Sequence, residues 1–235
     1  MRATLGGLEA TVVETQPGVR GPVVVLLHGF GAPGTDLVSF ARALDVPRGT
    51  RFVFPMAPIK LPEFGPMADA RAWWRIDMMR LQQDMMTGRF DRLMREVPDG
   101  LVPARAKMIA LLDDVQSALG VTADKIILGG FSQGAMLSCD VALHSGLPLA
   151  GLVLLSGTLV AESVWRPLLP ARKGLAVFQS HGQMDPILPY AAAELLRDML
   201  VEAELNVSFE SFRGGHEIPG SVLEALSRFV HKRLA

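Results

Sequence analysis

The amino-acid sequence predicts an α/β fold: a mostly parallel central sheet, helices on both of its faces, and a short cap or loop insertion. Three observations lead there. Short apolar runs such as residues 23–27 (VVVLL) and 126–128 (IIL) show no polar alternation, the mark of strands buried on both faces. Amphipathic stretches separate these runs, and strands that alternate with helices build parallel sheets. Glycine-rich turns close several strands, and one of them sets a serine between two glycines, Gly130-Phe131-Ser132-Gln133-Gly134.

Taken in order, residues 3–14 read as a first strand or hairpin, with Gly6-Gly7 able to turn it. The run 23–27 is a buried strand that ends in His28-Gly29-Phe30-Gly31-Ala32-Pro33-Gly34, too rich in glycine for regular structure. A helix is expected over 36–44 and a strand over 51–54, stopped by Pro55. Residues 56–102 break the rhythm, since strand–helix connections are normally far shorter. This stretch holds Pro58, Pro62, Pro66, Trp73-Trp74 and seven of the twelve methionines (56, 67, 78, 79, 85, 86, 94). Phe90, Leu93, Met94 and Val97 have helical spacing and predict one short helix within it. Regularity returns at Ala104, where Met108, Leu111, Leu112, Val115 and Leu119 form a stripe, and Gly120 ends that helix. Strands at 149–155, 175–179 and 207–212, a helix over 190–204 and a last helix lined by Val222, Leu226, Phe229 and Val230 complete the pattern. No linker divides the chain. It reads as a single domain over 1–235 with an insertion at about 56–102.

Composition excludes several function classes. The formal charge is −1 with acidic and basic residues mixed, so no basic tract offers a nucleic-acid surface. One cysteine, Cys139, forbids an internal disulfide and any cysteine-based metal cluster; a buried thiol behind the serine turn is expected. There is no phosphate loop, dinucleotide fingerprint or metal-ligand pattern, hence no expected cofactor or metal. The N-terminal residues lack an apolar h-region and no stretch has the length of a membrane span, so stable membrane insertion is not expected and a cytoplasmic protein is.

The chemistry is expected where the strands end, because ligands of open parallel sheets sit beyond the carboxyl ends of the strands. Five ends deliver a polar group there: His28, Ser132, Ser156, Asp185 and His216. The strand before Ser132 and the helix formers after it make a sharp strand–turn–helix, which holds a serine hydroxyl clear of the sheet. The same turn aims free helix N–H groups at the reaction site. A serine needs a base to act as a nucleophile, and a histidine base needs an acceptor for its second nitrogen. His216 follows the last strand in a glycine loop, and Asp185 follows the one before it. The chain order Ser132, Asp185, His216 is that of the α/β-hydrolases. His28 is expected to shape its loop, His181 to support the acid loop, and His144 and His231 to have helical surface or core roles.

These motifs together, His28-Gly29-Phe30-Gly31, Gly130-Phe131-Ser132-Gln133-Gly134, His181-Gly182 with Asp185 and Pro189, and Gly215-His216-Glu217, resemble the phospholipase/carboxylesterase family of α/β-hydrolases. That family includes bacterial carboxylesterases and acyl-protein thioesterases. The resemblance implies an α/β-hydrolase fold, a Ser132–Asp185–His216 triad, and an oxyanion hole from the backbone N–H groups of Phe30 and Gln133. Since Gln133→Ala keeps the N–H, that change is expected to keep most activity. Ala32 and Pro33 stand where the family often has an acidic residue, and residues 78–98 are unlike the thioesterases. These departures leave the reaction intact and the substrate open.

The expected activity is hydrolysis of carboxylic esters through an acyl-enzyme, on a small-molecule or lipid ester. The alternatives are a thioesterase or lysophospholipase with the same triad, and a catalytically silent binding protein of the same fold. Trp73, Trp74, Met79 and Met86 are candidates for lining an acyl or aryl pocket, because thioethers fit varied apolar ligands. A core under the cap, or a contact between subunits, is the other reading of those residues. The sequence leaves the natural substrate and the oligomeric state open, a homodimer included.

Overall fold

The computed structural model describes residues 1–65, 69–89 and 91–235, without the side chains of residues 85, 91 and 93. Pro66, Met67 and Phe90, which entered the reading of the insertion, lie outside the described residues, as do the side chains of Met85 and Leu93.

The chain opens with a hairpin, β1 (Arg2–Leu5) and β2 (Leu8–Glu14), followed by β3 (Val23–Leu27). The helix expected over 36–44 is a 3₁₀ turn, Asp36–Ser39, running into the single turn α1 (Phe40–Ala43). After β4 (Arg51–Pro55) come a two-residue ribbon, β5 (Ile59–Lys60) and β6 (Arg71–Ala72), and two helices where one was expected, α2 (Met78–Met86) and α3 (Asp91–Arg95). Then follow α4 (Leu101–Leu119), β7 (Ile126–Phe131), α5 (Gln133–His144), β8 (Gly151–Leu155) and α6 (Glu162–Trp165). The chain closes with β9 (Ala176–Gly182), α7 (Tyr190–Glu202), β10 (Asn206–Phe212) and α8 (Gly220–Leu234). The helix α4 starts three residues earlier than its stripe suggested. Pro103 falls in its first turn, where a missing N–H leaves no hydrogen bond unmade.

Eight strands form one sheet in the order β1-β2-β4-β3-β7-β8-β9-β10. From β4 to β10 every pairing is parallel; β1 and β2 join antiparallel at one edge. This is the fold of the α/β-hydrolases, as expected. Alternate residues of the buried strands feed two separate cores. Val23, Val25, Leu27, Ile126 and Leu128 pack with α4, α5 and α7, while Val24, Leu26, Ile127 and Leu155 pack with α1 and α8. Both faces of the inner strands are therefore apolar, which explains the unbroken runs in the sequence.

From β3 the chain moves to β4 on one side and returns to β7 on the other. That reversal opens a crevice at the carboxyl ends of β3 and β7, the usual ligand position in such sheets. The close packing there requires glycine. A Cβ on Gly130 would stand 2.6 Å from the Leu27 carbonyl oxygen and 2.6 Å from the Gly134 carbonyl carbon, and one on Gly134 would run into the Leu27 and His28 carbonyls.

Candidate active site

Ser132 occupies the turn between β7 and α5 with φ 54° and ψ −119°, a conformation that L residues rarely adopt. Such a residue costs roughly 1–3 kcal/mol and persists only where its surroundings hold it. Here the Ser132 N–H donates to the Leu155 carbonyl at 2.8 Å, and the Ser132 carbonyl accepts from Ala135 and Met136 as α5 begins. The strained turn keeps the side chain out of the sheet, half-buried at the crevice.

The loop after β3 is fixed from three sides. His28 is buried; Nδ1–H donates to the Gly29 carbonyl at 2.8 Å and Nε2 accepts the Ala57 N–H at 3.0 Å, which defines the tautomer. Burial pushes its pKa below the ordinary histidine value, so the ring stays neutral. The His28 carbonyl accepts the Trp73 indole N–H at 2.9 Å. Gly31 N–H donates to Arg71, and Arg71 N–H donates back to Ala32, tying the loop to β6. His28 thus shapes this loop, as its position suggested. Among the described residues the N–H groups of Phe30 and Gln133 have no protein acceptor. The Phe30 ring packs on Leu61, Ala70 and Ala72 and meets Phe64 edge-on at 5.9 Å between centroids.

The candidate acid and base come from neighbouring strands. Asp185 follows β9. Its Oδ1 accepts the N–H groups of Ile187 and Leu188, both at 2.9 Å, and its Oδ2 accepts His216 Nδ1–H at 2.6 Å. Burial alone would raise the pKa of this carboxyl group. Hydrogen bonds from His181, His216 and Leu188 outweigh that and hold it well below the usual carboxylate range. His216 follows β10, is half-buried, and rests its ring against Phe131 at 4.8 Å, next to Ser132 in the chain. With Nδ1–H committed to Asp185, Nε2 is left as the proton acceptor. Ser156, also at φ 47°, braces the same loop: its Oγ lies 3.4 Å from the Glu217 carbonyl.

Sequence reasoning missed what the Gln133 side chain does. It is buried and clamps the insertion to the serine turn, with Oε1 accepting the Trp73 N–H at 2.9 Å and Nε2 donating to the Trp74 carbonyl at 2.8 Å. The side chain therefore ties two segments together, beside the backbone N–H that the sequence singled out. We expect Gln133→Ala to strand two buried backbone groups at about 1–3 kcal/mol each, lowering the urea midpoint and loosening the oxyanion loop. An unchanged midpoint with full activity would show that the clamp is idle.

The proposed pocket lining is also redistributed. Trp73 and Trp74 are 1% and 3% exposed and belong to the main core, the alternative the sequence offered for them. Met79 and Met86 are 84% and 82% exposed, on the outside of α2. That helix turns Asp84 inward and these methionines outward, the reverse of an ordinary surface helix. Two surface concavities, one lined by Asp45, Leu223 and His231 and the other by Asn206, Phe229 and Arg233, include none of the candidate residues. Cys139 is fully buried in α5, and burial pushes its thiol far above the usual range, so it is inert. Among the described residues no group of histidines, cysteines and carboxylates converges as metal ligands, and no helix is long and apolar enough to cross a membrane.

Comparison with known proteins adds the following. The family model for phospholipases and carboxylesterases matches residues 8–234. The acyl-protein thioesterase 1 of Neurospora crassa is 28% identical over 223 residues, 90% of this chain and 86% of that protein. The acyl-protein thioesterase 1 of Eremothecium gossypii is 28% identical over 216 residues, covering 89% and 87%. The crystal structure of esterase PE8 superposes with a TM-score of 0.81 at 26% identity, covering 97% of this chain and 99% of that one. The carboxylesterase of Bacillus cereus shares the fold, with a TM-score of 0.69 at 19% identity and coverage of 97% and 95%.

Proposed function

The chain belongs to the phospholipase/carboxylesterase family, a match that spans residues 8–234, and from that premise we propose that it is a serine carboxylesterase working through Ser132, His216 and Asp185. Family membership makes it a hydrolase of the esterase or thioesterase kind; the residues and the ester preference are our reading. The observation that carries it is the 2.6 Å hydrogen bond from His216 Nδ1–H to Asp185 Oδ2, on a ring that lies against the residue before Ser132.

In this mechanism Ser132 Oγ attacks the ester carbonyl carbon while His216 Nε2 takes its proton. Asp185 keeps Nδ1–H pointed at itself and stabilises the imidazolium. The N–H groups of Phe30 and Gln133 receive the oxyanion, a contribution worth about 10²–10³ in kcat per donor in sites of this type. His216 then protonates the leaving alcohol, and the acyl-enzyme forms. Water enters, gives its proton to His216, and attacks the acyl carbon; the proton returns to Ser132 as the acid leaves.

A thioesterase reading has its own support, since the relatives from Neurospora crassa and Eremothecium gossypii are named acyl-protein thioesterases. The two are separated by comparing alcohol and thiol esters of one acyl chain. We expect the higher kcat/KM on the alcohol ester and covalent labelling of Ser132 by a fluorophosphonate. A strong preference for the thiol ester would replace the first reading by the second, and no labelling would remove both. Within the insertion, residues 73–94 are the segment that selects substrate rather than performs chemistry. Met79→Ala and Met86→Ala then leave stability within about 0.5 kcal/mol, because both side chains are exposed, and alter the ranking of p-nitrophenyl esters by chain length. An unchanged ranking would take these methionines out of the substrate site.

A further inference from the structure

One more histidine touches the acid of the proposed triad. His181 lies near the end of β9, fully buried, with Nε2 3.0 Å from the Leu188 carbonyl oxygen and 3.3 Å from Asp185 Oδ2. Two acceptors on one ring nitrogen require that nitrogen to carry the hydrogen. The other nitrogen, Nδ1, is buried and has no partner among the described residues. The tautomer is thus set by the surroundings: Nε2–H points into the acid loop and Nδ1 holds only a lone pair.

We propose that His181 is a positioning residue for the acid–base pair, its Nε2–H shared between Leu188 and Asp185 so that it pins the acid loop and draws part of the Asp185 charge away from His216. The inference rests on the reading of Asp185 and His216 as acid and base. The geometry is specific on this point. Asp185 Oδ1 is occupied by the Ile187 and Leu188 N–H groups, so both histidines converge on Oδ2. Charge that Oδ2 shares with His181 is not available to hold the His216 imidazolium. A base held too tightly as the imidazolium is unavailable at neutral pH, and a second donor on the carboxylate moderates that hold.

Among the described residues few other charged or titratable groups face the pair. Glu217 directs Oε1 to the Gly215 N–H at 3.2 Å, Arg213 is exposed, and the Tyr190 ring lies 6.2 Å from His181. The Phe131 face of His216 is apolar. His181 is thus the group placed to set the balance between Asp185 and His216.

The test is the pH profile of kcat/KM on a p-nitrophenyl ester for wild type, His181→Leu and His181→Gln. Leucine removes the donor and fills the space; glutamine restores an N–H at similar reach. The acid limb of the leucine variant is expected to move up by roughly 0.5–1 pH unit, and that of the glutamine variant to return close to wild type. Equal loss at every pH with an unmoved limb in both variants would reduce His181 to a packing residue and overturn the inference. If the leucine variant lacks a cooperative unfolding transition, His181→Asn makes the same comparison, since its shorter amide stops short of Oδ2. The bridging His216 Nδ1–H proton, followed by ¹H NMR in wild type and His181→Gln, gives a second readout. Asp185→Asn is measured alongside. If it is as active as wild type, the acid–base reading fails and this inference with it. If it is inactive while the limb stays fixed, only the inference fails.

Discussion

Replacing Ser132 by alanine is expected to lower kcat by on the order of 10⁶, and replacing His216 by alanine to do nearly the same. In the proposed mechanism the two groups act as one unit. Without the base the hydroxyl remains protonated and weakly nucleophilic; without the hydroxyl the base has nothing to activate. The Ser132→Ala/His216→Ala double variant should therefore be little worse than either single one. What survives is the residual acceleration from the oxyanion N–H groups of Phe30 and Gln133, of order 10³–10⁴ over water. Folding should be unimpaired: Ser132 is half-buried, its backbone N–H bond to Leu155 is kept, and alanine meets the same φ of 54°. The measurement is single-turnover hydrolysis of a p-nitrophenyl ester by the three variants. Losses that multiply in the double variant would mean that Ser132 and His216 do not share a step.

Asp185→Asn is expected to cost about 10⁴ in kcat with the fold intact. The reason lies in the two backbone donors on Oδ1. Ile187 and Leu188 both point an N–H at that atom, so the amide of an asparagine must turn its oxygen toward them. Its NH₂ then replaces Oδ2 and faces His216 Nδ1. The imidazole is forced to accept there, which puts the proton on Nε2, where Ser132 needs a lone pair. The ionised Asp185 also contributes to stability. Its folded pKa is lowered, so this contribution is present above the unfolded value and is lost as pH falls through the lower folded one. The gap in unfolding midpoint between wild type and Asp185→Asn should accordingly close on acidification. Near-normal turnover by this variant would move the role to another carboxylate, with Glu217 the neighbour to examine.

The sheet, the serine turn and the order of the three candidate residues are legible because each depends on short-range pattern. A run such as VVVLL reports burial on both faces, and a serine between two glycines after a strand reports the turn that exposes it. The Gln133 clamp is not legible in this way. Its partners are the main-chain groups of Trp73 and Trp74, 60 and 59 residues earlier, and a backbone N–H or C=O leaves no mark in the sequence. Trp73 and Trp74 gave an ambiguous signal for a related reason, since an aromatic pair in an irregular stretch fits a ligand wall as well as a core. Only the fold shows that the indole N–H of Trp73 is spent on the His28 carbonyl. Met79 and Met86 mislead more directly, because α2 exposes both of these thioethers and buries the Asp84 carboxylate instead. His181 was expected to support the acid loop; that its Nε2–H faces two acceptors at once follows from the turn between Gly182 and Leu188, which residue identities alone do not specify.

The position of β10 at the margin of the sheet has a consequence for durability. The strand is hydrogen-bonded to β9 alone and carries only exposed and half-buried residues, whereas β7 lies between two neighbours and is almost wholly enclosed. The proposed nucleophile and base are thus rooted in an inner and an outer strand, and outer, less buried elements are expected to open at lower free energy. Fraying of the outer strand would carry His216 away from Ser132 while the interior stays closed. Heat should therefore silence the molecule before it melts it, and cooling should restore function without a folding event.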